Sequence, residues 1–394
     1  MSHAHAVALP AALLALAVCV PAAAAQTLPR VAIAVPRPIP NEPKVAARMT
    51  IRDGRAGRLP RPHRDRAPRP VLADVPQEVW SIETRTVRGG SRDVSLLGLP
   101  EENDWVLYAP YNDKSLMRNV LAYETARSMG RYASRSRFVE LTLNGPYHGV
   151  YVLMERLKLD DRRVALEQAA TLLEWTFDFQ ARRKGTFFRL PVTRRPILFE
   201  DPERGELSRA RRGAVQRSLA AAERSLYGRR FRDPARGWRA HIDEPAAIDF
   251  VLLNELFKNE DAFHASTYLA RGGAGRWQLG PVWDFDISMG NSDYGPSRLL
   301  TGSMLVRRDW VERLYRGRAF IAALAGRWRE LRAGGLAGAL LRRVDRHAAR
   351  LAASGAAGRN FRRWRVLGRR VWPNPPPPAG ARPTAPRCAR CAAG

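Results

Sequence analysis

Cysteine is nearly absent from this chain. Its 394 residues include three: Cys19 in an apolar leader, and Cys388 with Cys391 in one C-x-x-C near the end. That scarcity excludes a disulfide-stapled scaffold, and a lone C-x-x-C lacks the second ligand pair of a structural zinc site. The pair is either incidental or a labile local disulfide. Acidic residues are few as well, 38 Asp and Glu against 66 Lys and Arg, which leaves a formal charge of +28. Two readings of that excess, mostly arginine, stay open. One is affinity for an anionic partner; the other is a coding bias toward Arg, Ala, Pro and Gly. Beyond the leader no apolar run is long enough to cross a bilayer. No nucleic-acid recognition motif is present, so no specific nucleic-acid partner is expected.

What is there begins with "MSHAHAVALPAALLALAVCVPAAAAQ". Its apolar run ends in small residues, with Ala23 and Ala25 forming an A-x-A site before Gln26. Residues 1–25 read as a signal peptide, and the mature chain as secreted or held at the cell surface. Residues 26–75 are rich in Pro and Arg with no sustained period, which predicts a disordered arm. Residues 375–394, Pro, Ala and Arg, predict a disordered tail.

Between these lies the folded part, 76–374. "VWSIETRTV" alternates as a strand does. "LMRNVLAYETARSMG" has helical spacing and a glycine, Gly130, at its C-cap. "RFVELTLNGPYHGVYVLMERL" reads as a β-hairpin, with Asn144 and Gly145 supplying the positive φ of a tight turn. Helices follow over "RRGAVQRSLAAAERSLYG" and Ile248–Phe257. A second hairpin, "STYLARGGAGRWQLGPVWDFDIS", turns at "GGAG". After Trp310 come helices with Leu314, Phe320, Leu324, Trp328 and Leu331 on one face. Strands come first and helices mostly later, the order of an α+β fold.

The second hairpin carries the chemistry. Read as a strand, it points Asp284 and Asp286 to one face amid apolar residues, where unpaired charge is costly. Either neighbouring arginines hold the two carboxylates, or a hard cation such as Mg²⁺ or Mn²⁺ does. A D-x-D of this kind also serves nucleotide-sugar glycosyltransferases, but the alternating α/β run with a glycine-rich first turn is missing. Upstream, "LLNELFKNEDAFHASTYL" puts Asn259 and Asp261 at a helix end. An acid and an amide followed by a hairpin ending in a metal-type Asp is the order found in phosphotransferases.

The stretch "NDKSLMRNVLAYETARSMGRYASRSRFVELTLNGPYHGVYVLMERLKLDDRRV", with "LNELFKNEDAFHASTYL" and "LGPVWDFDISMGN", resembles the CotH family of spore-coat-protein-H-like secreted atypical kinases. The likeness runs from about Glu102 to about Pro375. It implies a two-lobed kinase-like fold, with a β-rich N-lobe and a mainly helical C-lobe. It implies transfer of a phosphoryl group from ATP to Ser or Thr of secreted or envelope proteins, with Mg²⁺ or Mn²⁺ as cofactor. The family's catalytic Asp falls on Asp261 and its metal Asp on Asp284, with Asp286 and Asn259 as further metal or structural groups. For the nucleotide, Glu155 is expected to orient a cation, with Arg118, Lys158 or Arg156 as that cation. Trp283 either stacks on adenine or packs in the core. The sequence departs from the family at "RTVRGGSRDVSLLGLP", where a Lys-bearing strand is expected and absent. That departure implies an incomplete N-lobe and keeps a second function open, a non-catalytic surface or coat-assembly protein.

Overall fold

The computed structural model describes residues 27–35, 44–53, 63–67, 77–185, 187–298 and 301–375, with backbone alone for 63–67. The expected leader and C-terminal tail lie outside the described residues, as do Cys19, Cys388 and Cys391. The architecture is α+β, as the order of elements predicts. In chain order it begins with strands β1 (Arg30–Ala34), β2 (Val45–Arg52), β3 (His63–Ala67), β4 (Trp80–Thr84) and β5 (Asp104–Tyr108). Helix α1 (Arg118–Ser128) leads into the hairpin β6 (Ser136–Leu143) and β7 (Tyr147–Glu155). These seven strands close into a barrel in the order β1-β2-β3-β4-β5-β7-β6, sealed by parallel pairing of β1 with β6.

The barrel overturns the expectation of a disordered arm over 26–75. Val31, Ile33, Ala47 and Met49 point inward and are buried with Trp80, Trp105, Tyr151 and Leu153. Strands β1 and β2 do alternate, but β1 has five residues and its partner β6 lies about a hundred residues on. Single-sequence periodicity cannot see that pairing, and the Pro- and Arg-rich flanks mask the short runs. The barrel thus closes without the Lys-bearing strand that the sequence lacks. Residues 85–103 contribute isolated bridges only. Lys44, just ahead of β2, supplies a lysine from elsewhere, paired with Glu83 of β4 at 3.1 Å.

Asn144 shows how the hairpin turn serves the closure. It sits at φ 52, beside Gly145 at φ 101, as the "NG" signal predicts. Its side chain accepts from the Val35 N–H at 2.8 Å and donates to the Val35 carbonyl at 2.9 Å, tying the turn to the end of β1.

Downstream come β8 (Thr171–Trp175), α2 (Asp178–Lys184), β9 (Phe187–Arg189) and β10 (Pro196–Asp201). Next are α3 (Arg209–Tyr227), α4 (Glu244–Phe257), β11 (Thr267–Arg271) and β12 (Gln278–Leu279). The second sheet runs β12-β11-β8-β10-β9. Helices α5 (Asp309–Tyr315), α6 (Arg318–Ala333), α7 (Leu336–Ala353) and α8 (Ala356–Arg363) follow. A large core joins this helical part to the outer barrel face. Strand alternation explains the join: Trp105 and Leu107 of β5 fill the barrel, while Val106 and Tyr108 face the helices. Helix α8 closes on β7 at Gly149 (φ +117), where an added Cβ would come within 2.7 Å of Asn360 Oδ1 and Trp364 Nε1. No described helix is long and apolar enough to cross a membrane.

If β1 is a barrel strand, Ile33→Ala should destabilise the protein by about 2–5 kcal/mol through the cavity it leaves. Ala32→Asp, on the exposed face of the same strand, should stay within about 0.5 kcal/mol. Chemical denaturation of both variants checks this; equal, negligible effects would return the arm to disorder.

Candidate functional site

Three elements deliver the acidic residues. Helix α4 starts on Asp243, whose side chain accepts from the Ala246 N–H at 2.7 Å, and stops at Lys258 in the left-handed region, φ 49. The turn beyond it is shaped by amides. Asn254 Nδ2 donates to the Phe250 carbonyl at 2.8 Å, and Asn259 Nδ2 to Asn254 Oδ1 at 3.0 Å. Asn259 Oδ1 accepts from the Asp261 N–H at 3.3 Å. The polar atoms of Asn259 are therefore spent on shaping the turn that presents Asp261.

The second hairpin forms as expected, but the acid pair does not extend it. Strand β12 ends at Leu279, Gly280 turns at φ 110, and Asp284 sits at φ 61 in a loop. The "GP" of Gly280 and Pro281 carried that turn signal. The loop is held instead by α1. Asn119 Oδ1 accepts from the Phe285 N–H at 2.5 Å, and Tyr123 Oη from the Asp284 N–H at 3.2 Å. Lys258, Phe263, Ser266, Asp284 and Met289 all have positive φ. Such strain persists only where surroundings over-determine it, and it clusters at functional sites.

These loops bring Asp261, Asp284 and Asp286 together, each offering an oxygen within 4.8 Å of the others. Among the described residues no Lys or Arg forms an ion pair with any of them. Asp284 receives the Ser266 hydroxyl at 3.1 Å and Asp286 the Asn112 amide at 2.6 Å, whereas among the described residues no donor reaches the Asp261 carboxylate. Burial and mutual repulsion act accordingly. Burial, then the charges of Asp286 and Glu260, push the Asp261 carboxyl up to about 7. Asp284 is raised well above the ordinary carboxylate range by burial and by both partners. Burial raises Asp286 too, against the Asn112 hydrogen bond. Nearby, the Tyr108 hydroxyl is buried without a partner, and its pKa is driven up by burial and by Asp286, Asp113 and Asp284. An all-oxygen donor set with excess negative charge and an orphaned hydroxyl beside it suits a hard divalent cation and its water or phosphate ligands.

Supporting groups fix the rest. Glu260 accepts from the Ser297 N–H at 2.6 Å and pairs with Arg308 at 2.9 Å, holding the Asp261 turn against the 295–308 segment. Gly295 (φ +69) permits this, since an added Cβ would lie 2.3 Å from the Glu260 carboxylate. Arg308 also contacts His264, whose pKa falls to about 4 through burial and the charges of Arg308 and Arg195.

The other expected residues divide. Arg118 lies against the loop, donating to the Ser288 carbonyl at 3.1 Å, and its charge is matched by Asp113. Glu155 is buried, taken up by Arg135 at 2.6 Å and the Tyr132 hydroxyl at 3.2 Å. Lys158 is engaged by Glu102 and Asp104, and Arg156 faces Glu200 at 3.6 Å. Glu155 thus orients Arg135, not a cation bonded to the triad. Trp283 is partly buried and stacks on Tyr123, ring centroids 5.9 Å apart. Sequence reasoning missed Asn112, Asp113, Tyr108 and Tyr123. Only Asp113 left a local trace, the turn in which it accepts from the Ser115 N–H at 3.0 Å.

A carboxyl whose pKa is raised by folding contributes stability below its unfolded value, 3.8 for Asp261, and loses it as pH climbs through about 7. Metal-free Asp261→Asn should therefore melt about 3 °C above the unaltered chain at pH 8, with the gap closing toward pH 4. This corresponds to roughly 1 kcal/mol, discounted because the carboxyl is only partly shielded from solvent. Thermal melts in chelator across that range test it; a gap independent of pH would contradict the crowding of charge.

No curated protein matches this sequence. A family model described as "CotH kinase protein" matches residues 73–375, from just ahead of β4 to the segment beyond α8. The match covers the α1 contacts, the Asp261 turn and the Asp284 loop, and by it the chain belongs to the CotH kinase protein family.

Proposed function

We propose that the protein is an exported, two-lobed CotH-type protein kinase that transfers the γ-phosphate of ATP to Ser or Thr of secreted or envelope proteins. The observation that carries this is the convergence of Asp261, Asp284 and Asp286 with, among the described residues, no cationic side chain paired to them. Family membership supports the kinase class. The leader sequence supports export.

Asp284 and Asp286 are the residues to hold Mg²⁺ or Mn²⁺. When bound, the cation supplies positive charge that neutralises the acids and the nucleotide phosphates. Asp261, without a hydrogen-bond donor, is free to accept a proton. As the acceptor hydroxyl oxygen bonds to the γ-phosphorus and the bond to the β-phosphate oxygen breaks, the hydroxyl proton passes to Asp261. Ser266 and Asn112 orient the two metal-site carboxylates. Arg118, which donates to the Ser288 carbonyl of that loop and is balanced by Asp113, is the candidate for a phosphate contact. Lys44, paired with Glu83, is a barrel lysine for the role of the absent Lys-bearing strand.

Purified protein with radiolabelled ATP and Mn²⁺ or Mg²⁺ should incorporate phosphate into itself or a generic acceptor. Asp261→Asn and Asp284→Ala should each lower incorporation about 10²-fold or more while remaining folded. Absence of incorporation in folded, unaltered protein, with no nucleotide-induced thermal shift, would favour the non-catalytic coat-assembly reading.

A further inference from the structure

We infer that the segment after α8 is a strap that sets the geometry of the metal-site loop, with Asn374 and Asn291 as positioning residues. This rests on the reading of the acidic cluster as a cation site. The strap leaves the barrel at Trp364, whose indole N–H donates to the His148 carbonyl at 2.8 Å. It then crosses Lys114, whose ammonium donates to the Arg369 carbonyl at 2.6 Å. Arg370 pairs with Asp293, and the Asp293 N–H donates to the Pro373 carbonyl at 2.8 Å. It ends on Asn374, 2% exposed against Asn291, itself 6% exposed.

From there a chain of amides reaches the acids. Asn374 Nδ2 donates to Asn291 Oδ1 at 3.0 Å and, more weakly, to its carbonyl at 3.3 Å. Asn291 Nδ2 donates to two backbone carbonyls, Asp286 at 2.6 Å and Asn112 at 3.1 Å. Asn112 Nδ2 in turn donates to Asp286 Oδ2 at 2.6 Å. Asn291 therefore clamps the loop before α1 to the loop carrying Asp286, and its amide must face the right way to do so. Reversed, it would set its oxygen against two carbonyl oxygens. The donor from Asn374 fixes the orientation, because it requires Asn291 to present oxygen on the strap side. With its oxygen and its nitrogen both engaged, the Asn291 amide holds a single arrangement, although Asn374 Oδ1 is itself buried without a partner among the described residues; groups that orient metal ligands act on affinity without touching the ion.

The test is Mn²⁺ binding to the full chain by electron paramagnetic resonance, alongside thermal melts. Asn374→Ala should weaken Mn²⁺ binding about tenfold, with the melting midpoint little changed. Asn374→Asp keeps the shape but loses the donor, so it should weaken binding similarly and serves if the alanine variant folds poorly. Trp372→Ala, on an exposed strap residue (69%), should bind as the unaltered chain does. Binding by Asn374→Ala and Asn374→Asp within twofold of the unaltered chain, while Asp284→Ala abolishes it, would overturn the strap inference alone. No Mn²⁺ binding by the unaltered chain would overturn the kinase reading and this inference together.

Discussion

Three carboxylates held within 4.8 Å of one another, without a cation to balance them, are the constraint on which the rest depends. Left to themselves they would separate or take up protons, so the surrounding structure is organised to prevent separation. Helix α1 grips the backbone of the Asp284 loop through Asn119 and Tyr123, and the Glu260–Arg308 pair pins the Asp261 turn. Most of the hydrogen bonds here are spent on backbone, leaving the acidic oxygens largely free. That division of labour is consistent with the cation site proposed above.

Charge balance elsewhere follows the opposite pattern. Glu155, Glu140, Asp249 and Asp113 are buried carboxylates, each answered by an arginine. The Arg-rich composition that suggested an anionic partner is thus partly explained from within, since several of those arginines neutralise interior acids. Buried Glu223 is answered instead by N–H and O–H donors, so the triad stands out in having neither an arginine nor, at Asp261, any donor among the described residues. Breaking one of the compensated pairs would leave a buried charge stranded, which usually costs more than the pair itself contributes.

Much of this was legible in the sequence where the signals are local. The "NG" of Asn144 and Gly145 gave the β6–β7 turn, apolar spacing gave α1 and α4, and D-x-D drew attention to Asp284 and Asp286. What escaped depends on distant partners. Asn112 matters because it meets Asp286, 174 residues away, and nothing beside it in sequence announces that contact. The strands β1 and β2 escaped for the same reason, and the loop carrying Asp284 was misread because the Gly280–Pro281 break was outweighed by the apolar run around it. Lys158 and Glu155 have the residue types for a phosphate site, yet their nearest neighbours were unknowable from one chain.

The parallel seam between β1 and β6 has a bearing on how the protein comes into being. Arg30 pairs opposite Glu140, so the first strand to be synthesised waits for more than a hundred further residues before its mate exists. Contacts of such high sequence separation slow folding. Until the seam forms, β6 and β1 each keep an open edge able to recruit another chain. A polypeptide threaded across a membrane from its N-terminus would meet this interval in an unfolded state. Solubility during that wait then falls to the arginines and prolines around the early strands, a duty that ends once the cylinder is sealed.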